Sequence, residues 1–220
     1  MSAHAPTRSR AAAPATRRPS KAARARRKKV LRRRLLLLSG LVLAAMILWV
    51  RPFADKAVHE ISLPLRHEDI IRQQAADKSL DPSLIAGVIY VESRFRDQTS
   101  RAGAKGLMQI LPSTADYIAR KSGGTRFTQG DLASPQINIA YGSWYLRYLL
   151  QHYHGNQLLA LAAYNAGEGK VDEWYSDAVM RGEDFEATTH IPFPETRNYV
   201  SRVLDARDRY RKAYGRELGL

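Results

Sequence analysis

The chain contains no cysteine. That excludes disulfides, thiolate nucleophiles, cysteine-ligated zinc and a lipid-modified N-terminal cysteine. Acid is missing from the first 34 positions, which hold 13 Lys or Arg and no Asp or Glu. No clear run of alternating apolar and polar residues announces a strand, and no internal repeat is evident. The most apolar run, residues 35–50, has 16 residues, short of the roughly 20 that a spanning helix ordinarily uses. What is present in excess is positive charge, a net +14 over 220 residues. Beyond residue 34 the count is 22 basic against 21 acidic residues. The high pI therefore belongs to the tail, and the body is close to neutral. Overall basicity does not mark the domain as nucleic-acid binding, and no nucleic-acid partner is expected for it.

The chain reads as four zones. Residues 1–34 are rich in Ala, Arg, Pro and Ser without apolar periodicity, and are expected to be a disordered, basic cytoplasmic tail. Residues 35–50, LLLLSGLVLAAMILWV, are uncharged and flanked by Arg32, Arg33 and Arg34 on one side and Arg51 on the other. The stems of these arginines and Trp49 can extend the span towards both interfaces. A buried core helix would show a polar face, which this run lacks. A cleaved signal peptide would carry a small-x-small site, to which Ala54-Asp55-Lys56-Ala57 is a poor match. The expectation is an uncleaved transmembrane signal-anchor to the plasma membrane, with secretion after cleavage as the alternative. The basic excess before the span orients the N-terminus to the cytoplasm and the rest outside, on the periplasmic or cell-wall side. Residues 51–64 are expected to be a linker and residues 65–220 the functional domain.

Helical signals dominate that domain, and the fold class expected is mainly α, a single compact helical domain. Residues 67–79 form one expected helix. Asp81-Pro82 supplies an N-cap and a proline at the first helical position, followed by Leu84, Ile85, Val88 and Ile89 at helical spacing. Further helices are expected from Pro112 through Arg120, over 135–153, over 157–164, and from Glu195 to about Tyr214, with Gly123-Gly124 as a break.

Glu92 extends the 85–88–89 apolar face by one step and falls near a helix end. Partial burial and the negative helix terminus both disfavour its ionised form, which suits a general acid near neutral pH. A solvated carboxylate at a helix end is the plain alternative. The segment Ser100-Arg-Ala-Gly-Ala-Lys-Gly-Leu-Met-Gln-Ile110 places two glycines, which permit close backbone approach, beside Met108 and Gln109. Ala163-Tyr164-Asn165-Ala166-Gly167 places an aromatic and an amide before a glycine that also fits a helix C-cap. His152-x-His154 is a weak metal signal, because alternate residues on a helix diverge. The stripe Tyr141, Trp144, Tyr145 and Tyr148 reads as core, part of which could stack on sugar rings. Arg197, Arg202, Arg207 and Arg209 read as a solvated helix face.

In this order and spacing, the motifs resemble the catalytic domain of the soluble lytic transglycosylase (SLT) family, a goose-lysozyme-like group. The resemblance covers about residues 65–210. It rests on Glu92-Ser93, Gly106-Leu107-Met108-Gln109-Ile110, Asn138-Ile139 with Gly142 and Tyr145-Leu146, Ala163–Gly167, and Pro194-Glu195-Thr196-Arg197 with Tyr199. One departure is visible: many members have one more residue between the glutamate and the serine than separates Glu92 from Ser100.

The resemblance implies an α+β lysozyme-like fold with a substrate cleft, and peptidoglycan glycan strands as substrate. Glu92 would be the sole catalytic acid and base. Ser93 would help close its helix, and Ser100 would bond near the scissile sugar. Met108 and Gln109 would line the cleft, Tyr164 and Asn165 would hold the sugar and its N-acetyl group, and Glu195 and Tyr199 would flank the acid. Ordinary glycosidases use two carboxylates, and none of these motifs supplies an obvious second. The implied reaction is cleavage of the MurNAc–GlcNAc β-1,4 bond to a 1,6-anhydro product, without metal or cofactor. A hydrolytic muramidase and a non-catalytic peptidoglycan-binding protein are the alternatives.

Overall fold

The computed structural model describes residues 38, 40, 43, 46–51, 62–123 and 128–220. Chain contacts divide it into Met1–Lys56 and Ala57–Leu220. Most of the first unit, including the expected tail and much of the apolar run, lies outside the described residues, as does Gly124. Among the described residues no helix is long and apolar enough to cross a membrane.

The second unit is helical. Its elements are α1 (Glu68–Lys78), α2 (Pro82–Ser93), α3 (Pro112–Ser122), a 3₁₀ turn (Gln129–Ala133), α4 (Pro135–His152), α5 (Gln157–Ala166), α6 (Glu168–Met180), the single turn α7 (Ala187–His190) and α8 (Pro194–Tyr214). The described residues contain no strand; two isolated bridges, Thr99 with Lys105 and Lys105 with Ile110, pin the loop between α2 and α3. Local chemistry explains the helix starts. Asp81 caps α2 by accepting from the Ser83 N–H at 2.9 Å, with Pro82 next. Asn156 caps α5 by accepting from the N–H groups of Leu158 and Leu159 at 3.0 and 3.2 Å. Each cap satisfies donors that a helix start leaves without intrahelical partners.

α5 is buried from Leu159 to Ala163 and packs against α4, α6 and α8. Its run of small alanines lets three helices close on it. α2 packs most extensively on α8. The two run antiparallel, as three contacts in sequence show. Arg211 bonds Asp81 at 2.8 Å, Gly87 meets Val203 and Arg207, and Tyr199 meets Glu92. A Cβ on Gly87 would stand 2.9 Å from the Arg207 nitrogen and 3.0 Å from the Val203 carbonyl. Glycine there sets the backbone separation of α2 and α8.

The packed body reaches back into the stretch expected as linker. Leu63 is buried, and the hydroxyls of Tyr90 and Tyr214 donate to the carbonyls of Ser62 and Leu63 at 2.9 and 2.8 Å. Tyr210 likewise donates to the Pro64 carbonyl. α6 is an element that hydrophobic periodicity did not announce. Only Val171 and Ala178 are buried along its 13 residues, so its apolar face is too sparse to show as a pattern.

Candidate active site

Glu92 is the penultimate residue of α2, and the chain turns sharply after it through Arg94 and Phe95, both at positive φ (51° and 59°). The turn ends the helix and leaves the carboxylate half-buried. Burial pushes the Glu92 carboxyl up to about 7. Two groups oppose that rise: the Tyr199 hydroxyl, which donates to Glu92 Oε1 at 2.7 Å, and the positive charge of Arg202. Desolvation wins because α8 covers the group. The outcome is a carboxyl that is readily protonated at neutral pH and readily gives its proton up.

Tyr199 is itself buried, and both burial and the neighbouring Glu92 charge hold its hydroxyl well above the usual tyrosine range. It therefore acts as a hydrogen-bond donor. Because this bond favours the carboxylate, Tyr199→Phe should raise the Glu92 pKa, by about one unit. Activity that needs protonated Glu92 falls as pH rises through that pKa, so the alkaline limb of kcat/KM should move upward. A limb that stays in place or moves down would count against this placement of Tyr199.

The glycine loop is organised by Asn138, a fully buried residue of α4. Its Oδ1 accepts from the Met108 N–H at 2.7 Å, and its Nδ2 donates to the carbonyls of Lys105 and Leu132 at 2.9 and 3.0 Å. One amide thus binds three main-chain groups from two segments. Gly106, at φ 75°, lies so close that a Cβ would fall 2.1 Å from Asn138 Nδ2.

Met108 departs from the expectation of a cleft-lining side chain: it is fully buried and packs against Gly142, where a Cβ would stand 2.3 Å from its sulfur. What it presents towards Tyr164 is its carbonyl, which accepts from the Tyr164 hydroxyl at 3.0 Å. Gln109, at φ 48°, is half-buried, and its amide donates to the carbonyls of Gln98 and Gly106 at 2.9 and 2.8 Å.

The remaining residues separate into those bound to the frame and those open to solvent. Ser93 is buried and donates to the Ile89 carbonyl at 3.1 Å, so its hydroxyl is committed to closing α2. Ser100 Oγ accepts from the Ala104 N–H at 3.0 Å within the turn. Tyr164 lies within the field of Glu92, and its ring centroid is 5.6 Å from that of Tyr145. Asn165 is exposed, and its Oδ1 accepts from the Thr196 hydroxyl at 2.9 Å. Glu195 is exposed in the first turn of α8, one turn before Tyr199. Arg202, read from sequence as part of a solvated face, is exposed yet carries charge to Glu92 from the turn after Tyr199. Nothing local in the sequence marks that coupling.

Among the described residues one group could hold a metal ion, His152, Glu168 and Asp172, with ligand atoms within 4.8 Å of one another. His152 Nε2 is 3.0 Å from Asp172 Oδ1. His154 lies past the end of α4 at φ 52° and is not in the group.

Comparison with known proteins places this arrangement. The family described as "Transglycosylase SLT domain" matches residues 69–184. The soluble lytic murein transglycosylase of Escherichia coli K12 is 35% identical over 155 residues, 69% of this chain and 24% of that protein. Membrane-bound lytic murein transglycosylase C of Actinobacillus pleuropneumoniae serotype 5b is 33% identical over 162 residues, 64% of this chain and 44% of that protein. Among solved structures, the 70-kDa soluble lytic transglycosylase of E. coli superposes with a TM-score of 0.65 at 34% identity, covering 71% of this chain and 26% of that one. The chain spans about a quarter of the length of the soluble relatives it matches.

Proposed function

The chain belongs to the transglycosylase SLT domain family, and from that membership we propose that it cleaves the MurNAc–GlcNAc β-1,4 bond of peptidoglycan and leaves a 1,6-anhydro end. The observation that carries the reading is Glu92, a half-buried carboxyl at about 7 held by a buried tyrosine. Among the described residues, Tyr199 and Arg202 are the side chains that oppose the rise of its pKa. We assign both roles, acid and base in turn, to Glu92. Protonated Glu92 gives its proton to the glycosidic oxygen as the bond to C1 breaks. The substrate's N-acetyl group stabilises the cationic C1. The Glu92 carboxylate then takes the proton of the muramic C6 hydroxyl as that oxygen attacks C1. The attack is intramolecular and gains from proximity.

Around Glu92, Tyr199 orients the acid. Tyr164, Asn165, Gln109, Ser100 and Glu195 are the proposed lining of the glycan cleft, with Ser93 and Met108 supporting it through the main chain. We place the domain outside the plasma membrane, tethered by residues 35–50. The basic tail before a near-neutral body supports that topology, and one relative is itself named membrane-bound.

Mass spectrometry of muropeptides released from purified sacculi tests the reaction. The expected products are anhydro forms, one water lighter than hydrolytic ones. Products with the full water would show a muramidase, and binding without release a non-catalytic protein.

A further inference from the structure

A cavity of about 390 Å³ lies at the opposite end of α2 from Glu92. Asp81, the cap of α2, is in its lining, and Glu92 stands roughly 16 Å further along the helix axis. The volume is in the range of small-molecule sites. Leu80 and Leu84, both buried, and Leu150 give it an apolar floor. Arg147 and Gln151 of α4, His154, and Gln157 at the start of α5 bring polar atoms to its wall.

The polar groups differ in how far the fold already uses them. Asp81 is fully engaged: Oδ1 accepts from the Ser83 N–H and hydroxyl at 2.9 and 2.6 Å, and Oδ2 accepts from Arg211 at 2.8 Å. Its charge is therefore matched. Arg147 is half-buried, and its one bond among the described residues is a long one, 3.5 Å to the Ser79 carbonyl. A guanidinium carries five N–H donors, so most of its capacity is unused beside the cavity. Gln157 is oriented from behind. Its Oε1 accepts from Arg207 at 2.6 Å, and because arginine has only donors, the amide NH₂ cannot take that place. Gln151 is exposed, and its side-chain amide makes no bond among the described residues. An apolar floor is thus combined with an excess of donors and one uncommitted cation.

We propose that this cavity captures the C-terminus of a partner protein, one that ends in a large aliphatic residue. The free carboxylate pairs with Arg147, whose planar fork can take both oxygens. The Gln157 NH₂ donates to the last peptide carbonyl, and Gln151, with a donor and an acceptor, meets the peptide unit before it. The aliphatic side chain covers Leu80, Leu84 and Leu150. A phosphate would use the guanidinium and leave the leucines wet. A simple fatty acid would use both and leave the two amides idle.

The test is fluorescence anisotropy on the full chain in detergent, with the labelled peptide Gly-Ser-Ala-Leu as free acid and as C-terminal amide. Wild type should bind the acid with a Kd below about 1 mM and the amide at least about tenfold more weakly, as one charge-assisted contact requires. Gln157→Glu keeps an oxygen for Arg207 and sets a negative charge against the carboxylate, so it should weaken the acid at least about tenfold. Arg147→Gln should bring acid and amide to within about twofold of each other. Both variants should still release muropeptides as the wild type does, which separates a lost site from a lost fold. No binding by wild type, equal binding of acid and amide, or full affinity in Gln157→Glu overturns the assignment. So does displacement by inorganic phosphate or by 4-methylpentanoate at the concentration at which unlabelled peptide displaces, which would make this an anion or fatty-acid site. Peptide capture here and bond cleavage at Glu92 are measured separately, and failure of one leaves the other standing.

Discussion

Glu92→Gln should release no anhydro product from sacculi, a loss of at least about 10³-fold given what general acid–base groups contribute, and should melt above the wild type at pH 8. Both effects have one cause. The pocket raises the carboxyl from 4.5 to about 7 by withholding water from its charge. In the unfolded chain the group ionises near 4.5, so between the two values the folded state binds more protons. Stability contributed by protonated Glu92 is complete below about 4.5 and is lost as pH rises through 7. Above pH 7 the folded protein carries a poorly solvated charge, costing at most about 3 kcal/mol. Gln keeps an oxygen for Tyr199 and has no charge, so it removes that cost. For a protein of this size the gain is several degrees in Tm, and it should vanish below about pH 4.5. An active Gln variant would remove Glu92 from the chemistry. An inactive one whose Tm matches wild type at pH 8 would show a water-exposed carboxylate.

Gly106→Ala should be the most damaging single methyl group in the domain. Its φ of 75° is strained for alanine, and the added carbon would lie 2.1 Å from Asn138 Nδ2 and 2.7 Å from the Leu132 carbonyl. Asn138 is fully buried and cannot retreat while it holds the Met108 N–H and the carbonyls of Lys105 and Leu132. Displacing it leaves buried main-chain groups without partners. Overpacking and lost bonds together should cost about 3 kcal/mol or more, near 10 °C in Tm. Thermal melting of the purified variant measures it directly. Because the same loop carries the carbonyl that holds Tyr164, kcat/KM at a temperature where the variant is folded should fall at least tenfold. A Tm within 2 °C of wild type, a shift worth less than about 1 kcal/mol, would mean the loop yields easily.

The helix boundaries were largely legible because local chemistry sets them. Asp81-Pro82 caps as its residue types demand, and the expected 67–79 and 135–153 stand as Glu68–Lys78 and Pro135–His152. α6 was not legible, since two buried side chains leave no periodicity to read. At the site, Glu92 sat on the apolar face of its helix, so its burial could be anticipated. Its partner Tyr199, 107 residues away, was implied only by the family resemblance and not by any local pattern, because the crossing of α2 and α8 that joins them is a tertiary contact. Asn138 entered only as part of the resemblance, and its role lies in main chain it cannot announce locally, at Leu132 and, 30 or more residues back, at Lys105 and Met108. Met108 was misread for the same reason: the space that buries it is provided by Gly142 on another helix.

The tyrosines that receive the incoming chain have a mechanical meaning. Tyr90 belongs to α2, and Tyr210 and Tyr214 to α8; together they hold the carbonyls of Ser62, Pro64 and Leu63. A pull transmitted along a tether at residue 61 would meet these three bonds first. They load the two helices in parallel, and these are the helices that carry Glu92 and Tyr199. With the tether proposed for residues 35–50, tension along the chain would be shared between the helices that bear the acid and its tyrosine.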